Sequence, residues 1–112
     1  MLPDRDRVRF MDMLDHAREA IQFVKGRKRS DLDSIRWLNL ALVRLLEIIG
    51  EAAARVSDAT KADFPEIKWL QIVGLRNRLI HGYNQVDFDI MWDILQDDLP
   101  PLVSKLEDFL GN

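Results

Sequence analysis

The sequence predicts an all-α fold, an up-and-down bundle of four to five helices. Apolar residues recur at three- and four-residue steps through its long segments, as on the buried face of a helix. Gly and Pro punctuate the chain at helix-length intervals, and no segment alternates apolar with polar residues as a half-buried strand would. The 112 residues are expected to form a single domain, 1–112, able to bury about two-thirds of the unfolded surface.

Each element follows from local pattern. The first helix is expected over 4–24, with Val8, Met11, Leu14, Ala17, Ile21 and Val24 as its core stripe. Gly26 suits its C-terminal turn. Asp31, Asp33 and Ser34 offer N-caps for a second helix reaching residue 56, with Ile35, Leu38, Leu42, Leu45, Ile49, Ala52 and Val56 facing the core. Residues 57–68 read as a loop in which Pro65 and Glu66 open a short turn. A third helix is expected over 69–80, stopping at His81-Gly82-Tyr83-Asn84. A fourth begins near Asp87, and Pro100-Pro101 should break or restart it before the last stretch, 102–110.

Composition excludes several classes of function. A net charge of −3 is incompatible with a broadly basic nucleic-acid-binding surface. The charge is unevenly spread: residues 1–56 hold eleven basic and nine acidic side chains, residues 57–112 five and ten. Lys25, Arg27, Lys28 and Arg29 form one local basic cluster, either a solvated face or a contact for a polyanion. With no cysteine there is no disulfide, thiol nucleophile or thiolate zinc site. Neither a membrane-length apolar run nor a signal-peptide pattern is present, so no membrane partner is expected and the cytoplasm is the expected location. Neither a metal nor a cofactor is expected.

Two groups of residues carry the functional reading. On the second helix Arg44, Glu47, Glu51 and Arg55 share one face with Trp37, Leu40 and Ile48. That face is either a subunit interface with ion pairs at Arg44, Glu47 and Glu51, or a salt-bridged solvent face. On the third helix a continuous helical wheel puts Arg76 in the middle of an apolar arc of Trp69, Ile72, Val73, Leu75, Leu79 and Ile80. A cation there needs a partner or a wet crevice. It is either a structural ion pair with Glu47 or Glu51 or a phosphate-neutralising group. Asn77 and His81 flank the same arc, and Tyr83 comes directly after. His81 is either a capping side chain or a general acid or base, since imidazole titrates where such catalysts work best. Tyr83 read alone is a half-buried packing residue. A two-fold dimer with its axis near the third helix would bring two copies of Arg76 and His81 into one cleft.

Arg76-x4-His81-x-Tyr83 resembles the Arg-x4-His-x-Tyr motif of HEPN-domain proteins of the HepT-like toxin branch. The segment Leu45-Leu46-Glu47-Ile48-Ile49-Gly50-Glu51-Ala52-Ala53 resembles that family's second-helix signature. Pro65-Glu66-Ile67-x-Trp69 with Val73-Gly74-Leu75-Arg76-Asn77 resembles its third-helix region. Val86-Asp87-Phe88-Asp89-x-x-Trp92 and Asp97-Asp98-Leu99-Pro100 resemble its C-terminal portion. The resemblance implies a HEPN-like bundle that forms a homodimer and acts as a metal-independent endoribonuclease toxin on RNA, in some members tRNA. It implies Arg76 and His81 as the catalytic pair and Asn77 as a supporting polar group; Lys25, Arg27, Lys28 and Arg29 are the cluster expected to help on the RNA backbone. It also implies a minimal nucleotidyltransferase antitoxin as partner, which transfers AMP to Tyr83. The competing reading is a non-catalytic helical module that docks a nucleotidyltransferase or a nucleotide.

Overall fold

The computed structural model describes residues 2–82 and 85–111. Helix α1 (Asp4–Val24) occupies the predicted span, and Gly26 ends it at φ +76°, left-handed backbone that a side chain would strain. The buried face of α1 is Phe10, Met13, Leu14, Ala17, Ala20 and Val24, with Ile21 half-buried. Val8 and Met11 instead face solvent, which corrects the expected stripe. Phe10 takes the inward face because its ring packs on Phe64 and Trp69, at centroid distances of 5.2 and 5.8 Å.

The second long helix also departs from expectation at its start. Asp31 and Ser34 bound a single turn, α2 (Asp31–Ser34), after which extended Ile35 interrupts the chain and α3 runs Arg36–Ala54. The Asp31 side chain caps the preceding turn by accepting from the Lys28 N–H at 2.9 Å. Buried Asn39 holds the interruption: its Nδ2 donates to the Leu32 carbonyl at 2.9 Å and its Oδ1 accepts from Arg36 at 3.0 Å. Leu38, Leu42, Leu45, Ile49, Ala52 and Val56 are buried as expected.

Residues 57–68 are not wholly a loop, because they contain α4 (Asp58–Asp63). Its stabiliser lies far away in sequence. Asp6, buried in the first turn of α1, accepts from the Ser57 N–H at 3.1 Å, from the Ser57 hydroxyl at 2.7 Å and from the Thr60 hydroxyl. Ser57 in turn caps α4 by accepting from the Thr60 N–H. The Thr60 hydrogen bond, the largest influence, overcomes the opposing effect of burial and, with those from Ser57, holds the Asp6 carboxyl below the ordinary carboxylate range.

The expected third helix divides at Gly74 into α5 (Trp69–Val73) and α6 (Leu75–Leu79). A small antiparallel hairpin comes next, β1 (Ile80–His81) and β2 (Gln85–Val86), with Ile80 opposite Val86 and His81 opposite Gln85. Arms of two residues are too short to leave an alternating pattern in the sequence. Asp87 then caps α7 (Phe88–Asp93). Pro100 and Pro101 do not break the chain. They sit in the first turn of α8 (Leu99–Leu110), where a missing N–H is tolerated. The turn before them, 94–98, widens so that the Leu99 N–H bonds to the Ile94 carbonyl five residues back.

Helices α1 and α3 are antiparallel: Asp6 near the start of α1 meets Ser57 beyond α3, and Phe23 near its end meets Trp37 at a centroid distance of 6.0 Å. Helix α8 packs on α1, where Arg18 pairs with Glu107 at 2.6 Å, while α5 and α6 pack on α3. The bundle measures 44 × 30 × 19 Å, so it is two helices thick. Among the described residues no helix is long and apolar enough to cross a membrane.

Replacing Asp6 by Ala is expected to cost about 1–3 kcal/mol in urea unfolding at pH 7, since it orphans donors on Ser57 and Thr60. The ionised Asp6 carboxylate contributes fully above the unfolded carboxyl's pKa, about 3.9, and its contribution is lost as pH falls through the lower folded value. In Asp6→Asn the stability difference between pH 7 and pH 3 should therefore narrow; an unchanged difference would count against this role.

Candidate active site beside the hairpin

The site begins with a close approach of backbones. A Cβ placed on Gly50 of α3 would lie 3.0 Å from the Ile72 carbonyl oxygen and 3.8 Å from the Leu75 Cβ. Glycine therefore lets α5 and α6 lie directly on α3, with Ile72, Leu75 and Leu79 buried in the seam. One turn from Gly50, Glu47 accepts from Arg76 Nε at 3.1 Å.

That contact revises the position of Arg76. Its side chain is 65% exposed, and it does not lie within an apolar arc. The buried arc is narrower than the wheel from Trp69 suggests: Ile72, Leu75 and Leu79 lie within about 60° of one another across Gly74, and Arg76 falls outside them beside the partly exposed Val73. Val73 is partly exposed, Leu70 is 91% exposed, and only Ile72, Leu75 and Leu79 of this segment are fully inside. Glu47, Gly50, Glu51, Val73, Arg76 and Asn77 line an open groove between α3 and α6. Glu51 is paired with Arg44 at 3.4 Å. Both pairs are accessible to water, so each is worth little in stability, and Arg76 can exchange its carboxylate for a phosphate at low cost. Arg78 points elsewhere and pairs with Asp98 at 3.1 Å.

His81 lies on β1, two residues beyond the end of α6. Gly82 turns the chain at φ +69° immediately after it. The imidazole is accessible, and its Nε2 lies 3.8 Å from Asp87 Oδ2. His16, the other histidine, is bound within its own helix, with Nδ1 2.6 Å from the Asp12 carbonyl oxygen. Tyr83 lies outside the described residues.

The basic cluster is partly engaged by the protein itself. Arg29 donates to Asp89 at 2.7 Å and to Asp33 at 2.8 Å, and the Asp89 hydrogen bond, ahead of that from Asp33, raises its already high pKa. Arg27 donates to the Phe23 carbonyl and stacks over Trp37 at 5.4 Å, which accounts for much of the half-exposed Trp37 ring. Lys25 and Lys28 are exposed.

The structure thus brings Arg76, Asn77, Glu47 and Glu51 together, and sets His81 beside Asp87, a residue that local pattern does not assign to the site. The signal available for Asp87 is its place as an N-cap shortly after His81, on the far arm of a turn. What the arrangement offers chemically is an exchangeable guanidinium and an accessible imidazole carrying its own carboxylate.

The family model for HepT-like ribonucleases matches residues 13–109. The chain belongs to this family. An RNase-named protein of Methanocaldococcus jannaschii is 35% identical over 86% of this chain and 88% of its own length. A ribonuclease HepT-named protein of Thermococcus cleftensis is 34% identical over 86% and 91%. An RNase-named protein of Caldanaerobacter subterraneus is 32% identical over 87% and 90%. No solved structure gives a significant match. The HepT-like match spans Glu47, Gly50, Arg76, His81 and Asp87, so every group of the candidate site falls inside the family region.

Gly50→Val should destabilise the chain by about 1–3 kcal/mol in chemical unfolding, because its branches meet the α5 carbonyls. Unchanged stability would mean that the α3–α5 seam opens without penalty.

Proposed function

We propose that this chain is the toxin of a HEPN–nucleotidyltransferase pair, a homodimeric and metal-independent endoribonuclease with a cleft built by both protomers. The observation that carries the reading is the placement of the two motif side chains within one protomer. Arg76 lies in the α3–α6 groove, whereas His81 is not among the described residues lining that groove and faces Asp87 instead. Cleavage of RNA by its own 2′-hydroxyl needs a base, an acid and a cation at the phosphate. One protomer supplies a single imidazole for this work, since His16 is held by Asp12. Two copies about a two-fold axis supply two imidazoles and two guanidinium groups. Exposed Val73 on the groove, with exposed Leu40 on α3 and Leu70 on α5, offers apolar surface for that second copy.

In the reaction one imidazole takes the 2′-hydroxyl proton as O2′ bonds to phosphorus. The bond from phosphorus to O5′ breaks, and the second imidazole, protonated beforehand, gives its proton to the departing O5′. The products are a 2′,3′-cyclic phosphate and a 5′-hydroxyl. Arg76, released from Glu47, neutralises the non-bridging oxygens, and Asn77 supports them. Lys25 and Lys28, with the less available Arg27 and Arg29, are the candidate contacts to RNA further along. Control falls to the nucleotidyltransferase, which transfers AMP from ATP to the Tyr83 hydroxyl and releases pyrophosphate. Two residues from His81, the added phosphodiester brings charge and bulk into the cleft.

Purified chain incubated with cellular RNA and tRNA in EDTA should cut it, leaving cyclic phosphate ends. His81→Ala and Arg76→Ala should each lose at least about a hundredfold in rate with helicity and sedimentation unchanged. Full activity in His81→Ala would refute the assignment, and inactivity of a dimeric, unmodified wild type would favour the binding module. With its partner and ATP, mass spectrometry should find AMP on Tyr83. Modification at another residue would remove that control point alone.

A further inference from the structure

Besides its carbonyl's helical bond from the Met91 N–H, Asp87 makes three contacts. Its backbone N–H bonds to the Leu79 carbonyl at 2.8 Å, closing the hairpin against the end of α6. Its Oδ1 accepts from the Ile90 N–H at 3.0 Å, capping α7. Its Oδ2 faces His81 Nε2 at 3.8 Å. The first two contacts fix the backbone and the side-chain rotation, so the direction of Oδ2 is set by the fold and not by the histidine. Helix α7 is itself braced from outside, because Arg29 binds Asp89 at 2.7 Å and lies over Phe88.

A carboxylate oxygen can only accept. A ring nitrogen facing it is therefore favoured as the one carrying hydrogen, which leaves the other nitrogen with the lone pair. We infer that Asp87 is a positioning residue for His81: it holds the neutral imidazole as the Nε2–H tautomer and turns Nδ1 toward the substrate. This rests on the ribonuclease reading of the site. At 3.8 Å the contact is electrostatic, and a small ring rotation brings it to hydrogen-bond length when substrate closes the cleft. In the transesterification Nδ1 is then the atom that receives the 2′-hydroxyl proton, or delivers one to O5′, while Nε2 keeps its hydrogen toward Asp87.

Asparagine at position 87 separates this role from the cap. With its oxygen still accepting from Ile90, its amide would present N–H to Nε2 and reverse the tautomer. The test compares the wild-type dimer, Asp87→Asn and Asp87→Ser, a second variant that also caps a helix. Nitrogen-15 spectra of the His81 ring at alkaline pH report the tautomer, and RNA cleavage reports kcat and KM. The expected result is Nε2–H in the wild type, a shift toward Nδ1–H in Asp87→Asn, and in Asp87→Ser only the weaker Nε2–H preference that a free neutral imidazole side chain shows. In both variants kcat should fall about tenfold or more, with KM and thermal stability nearly unchanged. The same tautomer in wild type and Asp87→Asn would overturn the inference, as would a reversed tautomer with full kcat. The spectra need no activity, so a wild type that cuts no RNA, but whose His81 tautomer reverses in Asp87→Asn, would uphold the Asp87–His81 coupling while the ribonuclease reading fails.

Discussion

The contact between α3 and α5 at Gly50 is the constraint on which the site depends. A side chain at that position would press on the Ile72 carbonyl, which would have to give by a few tenths of an ångström where α5 lies on α3. Because the backbones touch, Glu47 on α3 reaches Arg76 on α6 although the residues are 29 apart in sequence. The cation is thereby presented on a wet face without being buried, and its charge is balanced by a partner it can release. A groove that holds a loosely paired arginine is well suited to exchange one anion for another.

Carboxylates form the joints of this small bundle, and this gives the acidic composition a structural meaning. Asp6 joins the start of α1 to α4 through Ser57 and Thr60. Asp31 caps the turn before α2, Asp33 and Asp89 grip Arg29, and Asp98 holds Arg78. Asp87 closes the hairpin and starts α7. Much of the negative charge that sets the isoelectric point is therefore tied to backbone N–H groups or to arginines. A count of charges alone describes such a surface poorly, because opposing groups are already matched across element boundaries.

The course of the chain was largely legible from punctuation. The limits of α1, the glycine turns after it and after His81, and the core stripe of α3 all follow from local pattern, and HepT-like membership was readable in the motif segments. What failed was the choice and width of the buried face. In α1 two apolar stripes compete, and the larger Phe10 wins through an aromatic cluster whose other members, Phe64, Trp69 and Phe109, come from distant segments. In the third helix the buried arc narrows to Ile72, Leu75 and Leu79, which leaves Arg76 at its wet edge. The extra helix α4 and the short strands were hidden because their causes, Asp6 across the bundle and an antiparallel register, are not local. Asp87 escaped notice for the same reason: its neighbour in space is reached only after a turn is closed.

The bundle is 19 Å thick in its shortest dimension. On so thin a body Arg76 and His81 both stay open to water, with side chains 65% and 57% exposed. Electrostatic groups in such a place act against a high dielectric, where a guanidinium or an imidazole stabilises developing charge only weakly. Neither side chain sits in a shielded, low-dielectric pocket of this chain. A surface that closed over the groove would exclude that water and strengthen the field of both groups.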